Sequence, residues 1–109
     1  LKILYLCSQN RRRSLTAESV LNGIDGHEVR SAGTENNARI KVTEGMLGWA
    51  DIIVTMEKKH TMRIRSKYRD ILEVRPIVCL HLLDDFLYMD ETLIDILESG
   101  FQDIIRLKD

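Results

Sequence analysis

Apolar and polar positions fall into short blocks along the chain. Four runs rich in branched residues, Lys2 to Leu6, Glu28 to Ser31, Asp51 to Met56 and Pro76 to Leu80, have the continuous apolar character of parallel strands buried on both faces. Between and after them the period changes. Ser14 to Asn22 brings Leu15, Val20 and Leu21 and meets a stop at Gly23, while Thr43 to Ala50 is a shorter helix carrying Met46, Leu47 and Trp49. A third helix, from about Glu57 to Leu72, keeps Ile64, Tyr68, Ile71 and Leu72 on one side and a basic face on the other. The last, from about Glu91 to Leu107, repeats Leu93, Leu97, Phe101 and Ile104, with Asp90 at the N-cap position. Strands alternating with helices predict a doubly wound α/β fold, a parallel sheet covered on both faces in one domain spanning residues 1–109. The polar stretch from Gly33 to Arg39 reads as the longest surface loop.

Composition narrows the classes. With 44% hydrophobic and 30% charged residues the chain is expected to fold by itself, and 109 residues suffice for one core but not two. A net charge of -1 supplies no global field toward nucleic acid or anionic lipid, so neither is expected as a partner and any basic site must be local. No apolar run approaches the length of a membrane span and no leader pattern is present, so a cytoplasmic, monomeric protein is expected. Cys7 and Cys79 lie too far apart in sequence to suggest a disulfide framework, and both read as thiols, Cys79 within the core.

Cys7 follows directly on the first strand, at the carboxyl end where open parallel sheets bind ligands. From there Cys7-Ser8-Gln9-Asn10-Arg11-Arg12-Arg13-Ser14 leads into a helix and has the form C-x5-R-S. Five residues between a thiol and a guanidinium can curl so that backbone N–H groups converge on one anion, aided by the N-terminus of the following helix. Phosphate is the natural occupant. The same positive potential, with Arg13 and the Ser14 hydroxyl, favours the thiolate form of Cys7, the nucleophile of such chemistry. The bland alternative is a small buried cysteine at a strand end beside a solvated run of arginines.

The segment Leu4-Tyr5-Leu6-Cys7-Ser8-Gln9-Asn10, continued by Arg13-Ser14-Leu15-Thr16-Ala17-Glu18, resembles the opening of the low-molecular-weight protein tyrosine phosphatases. Arg30-Ser31-Ala32-Gly33-Thr34 is similar to the family's Ser-Ala-Gly segment, and Ala50 to Glu57 to its third strand. Leu83-Asp84-Asp85-Phe86 stands where the family has an Asp-Pro-Tyr acid loop. The resemblance implies a four-stranded parallel sheet in order 2-1-3-4 and phosphomonoester hydrolysis through a cysteinyl-phosphate, without cofactor or metal. It implies Cys7 as nucleophile, Arg13 as phosphate clamp, Asp84 as general acid and Ser14 as the hydroxyl steadying the thiolate. Ser8, Gln9, Asn10, Arg11, Arg12, Arg13 and Ser14 would together form the phosphate loop, and Asn10 and Ser31 a hydrogen-bond pair supporting it. A phosphorylated protein or small phosphomonoester is the implied partner.

Several positions depart from that pattern. Ser8 and Arg11 replace apolar residues that wall a phenyl slot in typical members, so the mouth should be more polar and basic and could meet an acidic peptide or second phosphate. Leu15 replaces a proline, Asp85 replaces the proline of the acid loop, and the loop lacks a second cysteine, so no protective disulfide is expected there. Phe86 and Tyr88 are candidates for the pocket wall. His27, His60 and His81 show no metal-ligand spacing and read as surface or strand-end residues. The rival functions are a noncatalytic phosphoanion-binding module of the same fold and an arsenate reductase; the latter needs further thiols to carry oxidation away.

Overall fold

The four apolar runs become β1 (Lys2–Cys7), β2 (Glu28–Gly33), β3 (Ile52–Thr55) and β4 (Ile77–Cys79) in a computed structural model that describes residues 1–108. All pairings are parallel and the order is β2-β1-β3-β4, so the chain starts in the middle of the sheet and builds outward both ways. Five helices cover it: α1 (Arg13–Leu21), α2 (Glu44–Trp49), α3 (Lys58–Lys67), α4 (Arg69–Leu72) and α5 (Glu91–Ile105).

Side-chain alternation along β1 divides the interior. Ile3, Tyr5 and Cys7 face one way, into a cluster with Ala17 and Leu21 of α1 and Leu93, Leu97, Phe101 and Ile104 of α5. Leu4 and Leu6 face the other, against Leu47 of α2, Ile64 of α3 and Leu72 of α4. Because β1 is covered on both sides, Ile3, Leu4, Tyr5 and Leu6 are all fully buried. Burying a large apolar side chain is worth about 1.5–3 kcal/mol, so this strand fixes the end of the sheet at which Cys7 emerges.

Three expectations need correction. The helix expected from Glu57 to Leu72 is two, broken at Tyr68, whose φ of -128° and ψ of 37° are not helical. The fourth strand is an edge, half-buried along its length, and Cys79 is half-buried rather than core. Cys79 is opposite Thr55, and Thr55 opposite Leu6, two strands over. At the usual ~4.8 Å between strands, that keeps its backbone roughly 10 Å from the Cys7 end of β1, beyond disulfide reach without movement. Asp90 caps α5 as expected, its Oδ1 accepting from the Leu93 N–H at 3.1 Å.

Candidate active site

Between β1 and α1 the chain makes a tight loop that only some residues can form. Asn10 adopts a left-handed conformation, φ 57°, which asparagine tolerates better than most side chains. Its N–H reaches back to Cys7 Sγ at 3.3 Å, and its Nδ2 donates to Ser14 Oγ at 2.8 Å. Ser14 Oγ in turn lies 2.9 Å from Cys7 Sγ and 3.4 Å from the Ala32 carbonyl. Either partner of the Ser14–Cys7 contact can supply its proton, and the Ala32 carbonyl is a second acceptor for the Ser14 hydroxyl. Gly33 is required beside this loop, because a Cβ there would sit 2.5 Å from the Ala38 Cβ and 2.6 Å from the Ser8 carbonyl. The segment after it braces the loop from outside: the N–H groups of Thr34, Glu35 and Arg39 donate to the carbonyls of Cys7, Ser8 and Gln9.

The N–H groups of Ser8, Gln9, Arg11 and Arg12 donate to no acceptor among the described residues. Arg12 takes the N-cap position of α1 without a side-chain cap, leaving that first turn's donors open as well. Such a rim of unpaired donors at a helix start is suited to an anion. The cleft it surrounds has a volume of about 270 Å³ and is lined by the loop, Glu35, Lys59 and Asp84. A larger, shallower depression over α3 and α4, about 850 Å³, holds no nucleophile and is set aside for that reason.

Arg13 is 2% exposed. Its Nη1 donates to Glu57 Oε2 at 2.6 Å and to the Leu82 carbonyl at 2.7 Å, which fixes the plane of the guanidinium. Its Nε is buried without a hydrogen bond, and the nearest carboxylate, Asp84 Oδ1, is 3.6 Å away. Burial alone would raise the Glu57 carboxyl, but the hydrogen bond and charge of Arg13 outweigh it and hold it below the ordinary carboxylate value. Arg11 and Arg12 are exposed at the rim, and Gln9 reaches Glu35 at 3.4 Å.

Reading the residue pattern missed two groups, Glu57 and His60. His60 is buried, not at the surface. Its Nδ1 accepts from the Glu57 N–H at 3.0 Å, so the ring proton is on Nε2, which donates to Ser8 Oγ at 2.9 Å. Burial and then the charge of Arg13 pull its pKa down to about 4, so the ring is neutral near neutral pH. The available signal was the Glu57-x-x-His60 spacing directly after β3, where an acid and an acceptor can cap a helix at the sheet's ligand-binding end.

Cys7, Arg13, Ser14 and Asp84 are thus brought together, whereas Asp85 is exposed and lies off the cleft lining. The expected Asn10–Ser31 pair is not formed: Asn10 bonds Ser14, and Ser31 Oγ instead donates to the charged acceptor α1 offers it, Glu18 Oε1, at 2.8 Å. Phe86 and Tyr88 do not wall the cleft either. Phe86 packs on the α1/α5 core, and the Tyr88 hydroxyl meets Ser19 Oγ at 2.9 Å.

No protein-family model matches the sequence, and no curated protein matches it. Solved structures match nearly end to end. A low molecular weight protein tyrosine phosphatase, SP-PTP from Streptococcus pyogenes, is 14% identical, with 99% of this chain and 93% of that one covered and a TM-score of 0.75. The YwlE arginine phosphatase from Geobacillus stearothermophilus is 19% identical over 97% and 89% of the two chains, TM-score 0.70. The tyrosine phosphatase Wzb from Escherichia coli K30, in complex with phosphate, is 16% identical over 99% and 98%, TM-score 0.70. Strand order, layering and these superpositions give the chain the fold of the low-molecular-weight protein tyrosine phosphatases.

Proposed function

We propose that the protein is a cysteine-dependent phosphatase that hydrolyses phosphomonoesters on protein, phosphotyrosine first among them, through a cysteinyl-phosphate. The observation that carries this reading is the thiol of Cys7, bonded by Ser14 and by the Asn10 N–H, at the floor of a donor-rich cleft whose buried arginine has an unpaired Nε. A phosphoryl group seated there meets the loop N–H groups and the open edge of Arg13, displacing the long contact to Asp84. Cys7 Sγ attacks phosphorus as the bond to the leaving oxygen breaks, and Asp84 in its acid form gives that oxygen a proton. Water then attacks the cysteinyl-phosphate, its proton passes to the Asp84 carboxylate, and the S–P bond breaks to return thiolate and phosphate. Ser8, whose oxygen already accepts from His60, has its own proton left to donate to a phosphoryl or leaving oxygen.

The lining contains no aromatic or aliphatic side chain, so the group bearing the phosphate is gripped by polar contacts. The named activities of the structural neighbours include both tyrosine and arginine phosphatases, which makes the substrate side chain the first thing to measure. The deciding experiment is turnover of an aryl phosphate and of matched phosphotyrosine, phosphoserine and phosphoarginine peptides, beside Cys7→Ser. Loss of all turnover in Cys7→Ser, by roughly a thousandfold or more, with phosphate binding retained, is the expected result. Phosphate binding without turnover in the unaltered protein would replace the enzyme with a phosphoanion-binding module.

A further inference from the structure

One face of α3 carries positive charge away from the Cys7 cleft, with no close ion pair beyond its first residue among the described residues. Lys59 lines that cleft, and Arg63 and Lys67, four and eight residues on, line a second, smaller one of about 60 Å³ together with Lys41 and Asn36. Residues at i, i+4 and i+8 follow one another along a helix face, so the stripe runs roughly 12 Å from the catalytic mouth. Among the described residues no carboxylate lies within 4.0 Å of Arg63, Lys67 or Lys41. Only Lys59, at the start, has one, Glu57 at 3.8 Å, and that carboxylate is already engaged by Arg13. The Lys41 amine is pulled below its ordinary value by desolvation and then by the charges of Lys67 and Arg63, with Glu35 opposing. On the other side of α3 and α4, Arg65 and Arg69 share a depression with Asp70 and Glu73, and Lys67, at the far end of the stripe, also borders one with Glu44 and Asp70.

We propose that the Lys59–Arg63–Lys67 face, with Lys41 opposite, is a docking track for an acidic stretch of the substrate polypeptide next to its phosphorylated residue. The inference rests on the phosphatase reading and adds its substrate class. Charge complementarity selects the occupant, and the spacing sets its form. Steps of roughly 6 Å between successive cations match acidic side chains two and four residues from the phosphorylated one in an extended chain of about 3.3 Å per residue. A nucleic acid is the poorer fit, because the whole chain carries a net charge of -1 and so has no general field toward a polyanion.

The test compares two peptides with the same phosphorylated residue, one with Asp or Glu at the second and fourth positions on each side and one with Asn or Gln there. An aryl phosphate reports the chemistry alone. The unaltered protein should favour the acidic peptide in kcat/KM by about tenfold at low salt, and less as salt rises. Arg63→Glu with Lys67→Glu should abolish or reverse that preference while turnover of the aryl phosphate stays within twofold. Arg65→Glu with Arg69→Glu should keep it. Equal use of both peptides, or a preference indifferent to the Arg63 and Lys67 reversal, would overturn the track. So would a short single-stranded oligonucleotide that competes better than the acidic peptide. Should the protein hydrolyse no phosphate at all, the phosphatase reading fails separately. The track is then judged by fluorescence anisotropy of the acidic phosphopeptide, whose binding must be lost on reversing Arg63 and Lys67.

Discussion

In the loop from Cys7 to Ser14 the residues that matter are buried, and each is tied twice or more: Ser14 to Cys7 and Asn10, Arg13 to Glu57 and Leu82, the loop carbonyls to the segment after β2. In the segment from His81 to Met89, which brings Asp84 to the same cleft, Leu83, Asp84 and Leu87 are 63%, 58% and 66% exposed. That segment is held mainly at its ends, by the Leu82 N–H on the Met56 carbonyl and the Met89 N–H on Thr16 Oγ1. Cys7 and Arg13, the proposed nucleophile and clamp, are therefore set before a ligand arrives. Asp84, the proposed proton donor, is the part free to adjust, drawn from the less stabilised end of the structure. Preorganised donors aimed at a developing charge give the largest catalytic return, which accounts for where the burial was spent.

This contrast can be broken at the buried side first. Arg13→Ala removes a buried guanidinium and leaves the mostly buried Glu57 carboxylate without its 2.6 Å partner. It should lower stability by about 3 kcal/mol or more besides ending turnover, and Arg13→Lys should recover little activity, since an ammonium cannot make the two-pronged contact. Arg12→Ala, on the exposed rim, should change stability by no more than about 0.5 kcal/mol. Urea unfolding of the three variants decides it, and equal effects at positions 12 and 13 would mean that the clamp is misassigned.

His60 sharpens the same contrast through pH. The unfolded chain takes up a proton on this ring near its ordinary value of 6.5, the folded chain only near 4, so the folded state loses stability as pH falls through that window. The loss should approach about 3 kcal/mol at most. Glu57, held below its ordinary value, adds to it only at the acid end. Chemical denaturation at pH 7, 6, 5 and 4 should show the slope, and His60→Gln should flatten it. An unchanged slope in that variant would place the acid sensitivity elsewhere.

The exposed side should give the smallest effect on folding and a selective one on rate. Asp84→Asn is expected to slow esters with poor leaving groups by roughly a hundredfold and activated esters far less, the usual signature of lost general acid catalysis. Asp85→Asn should do neither, and both variants should melt with the unaltered protein. A series of aryl phosphates of rising phenol pKa measures this, and a slope that steepens for Asp85→Asn alone would move the acid to its neighbour.

Much of the architecture was legible because it rests on local rules. Branched apolar runs separated by helical periods gave the alternation of strands and helices, Asp90 announced the start of α5, and the C-x5-R-S spacing put the candidate anion loop at a strand's carboxyl end. What failed were judgements of side-chain surroundings. Ser31 was expected on Asn10 but bonds Glu18, Tyr88, a candidate for the cleft wall, meets Ser19 instead, and Cys79 was expected in the core but lies on an edge strand.

The sequence by itself determined the order of elements, the chain's near-neutral charge, and the candidate phosphate loop between β1 and α1, since each depends on neighbours within a turn or a strand. Only the tertiary structure decided that Glu57 and His60 stand behind Arg13 and Ser8. It also decided that Lys59, Arg63 and Lys67 lead away from the cleft while Arg65 and Arg69 lie on the other side beside Asp70 and Glu73. Those relations join residues some 44 and 52 positions apart through the pairing of β1 with β3. Long-range juxtaposition of this kind is set by how the sheet closes its core, and no periodicity in the chain encodes it.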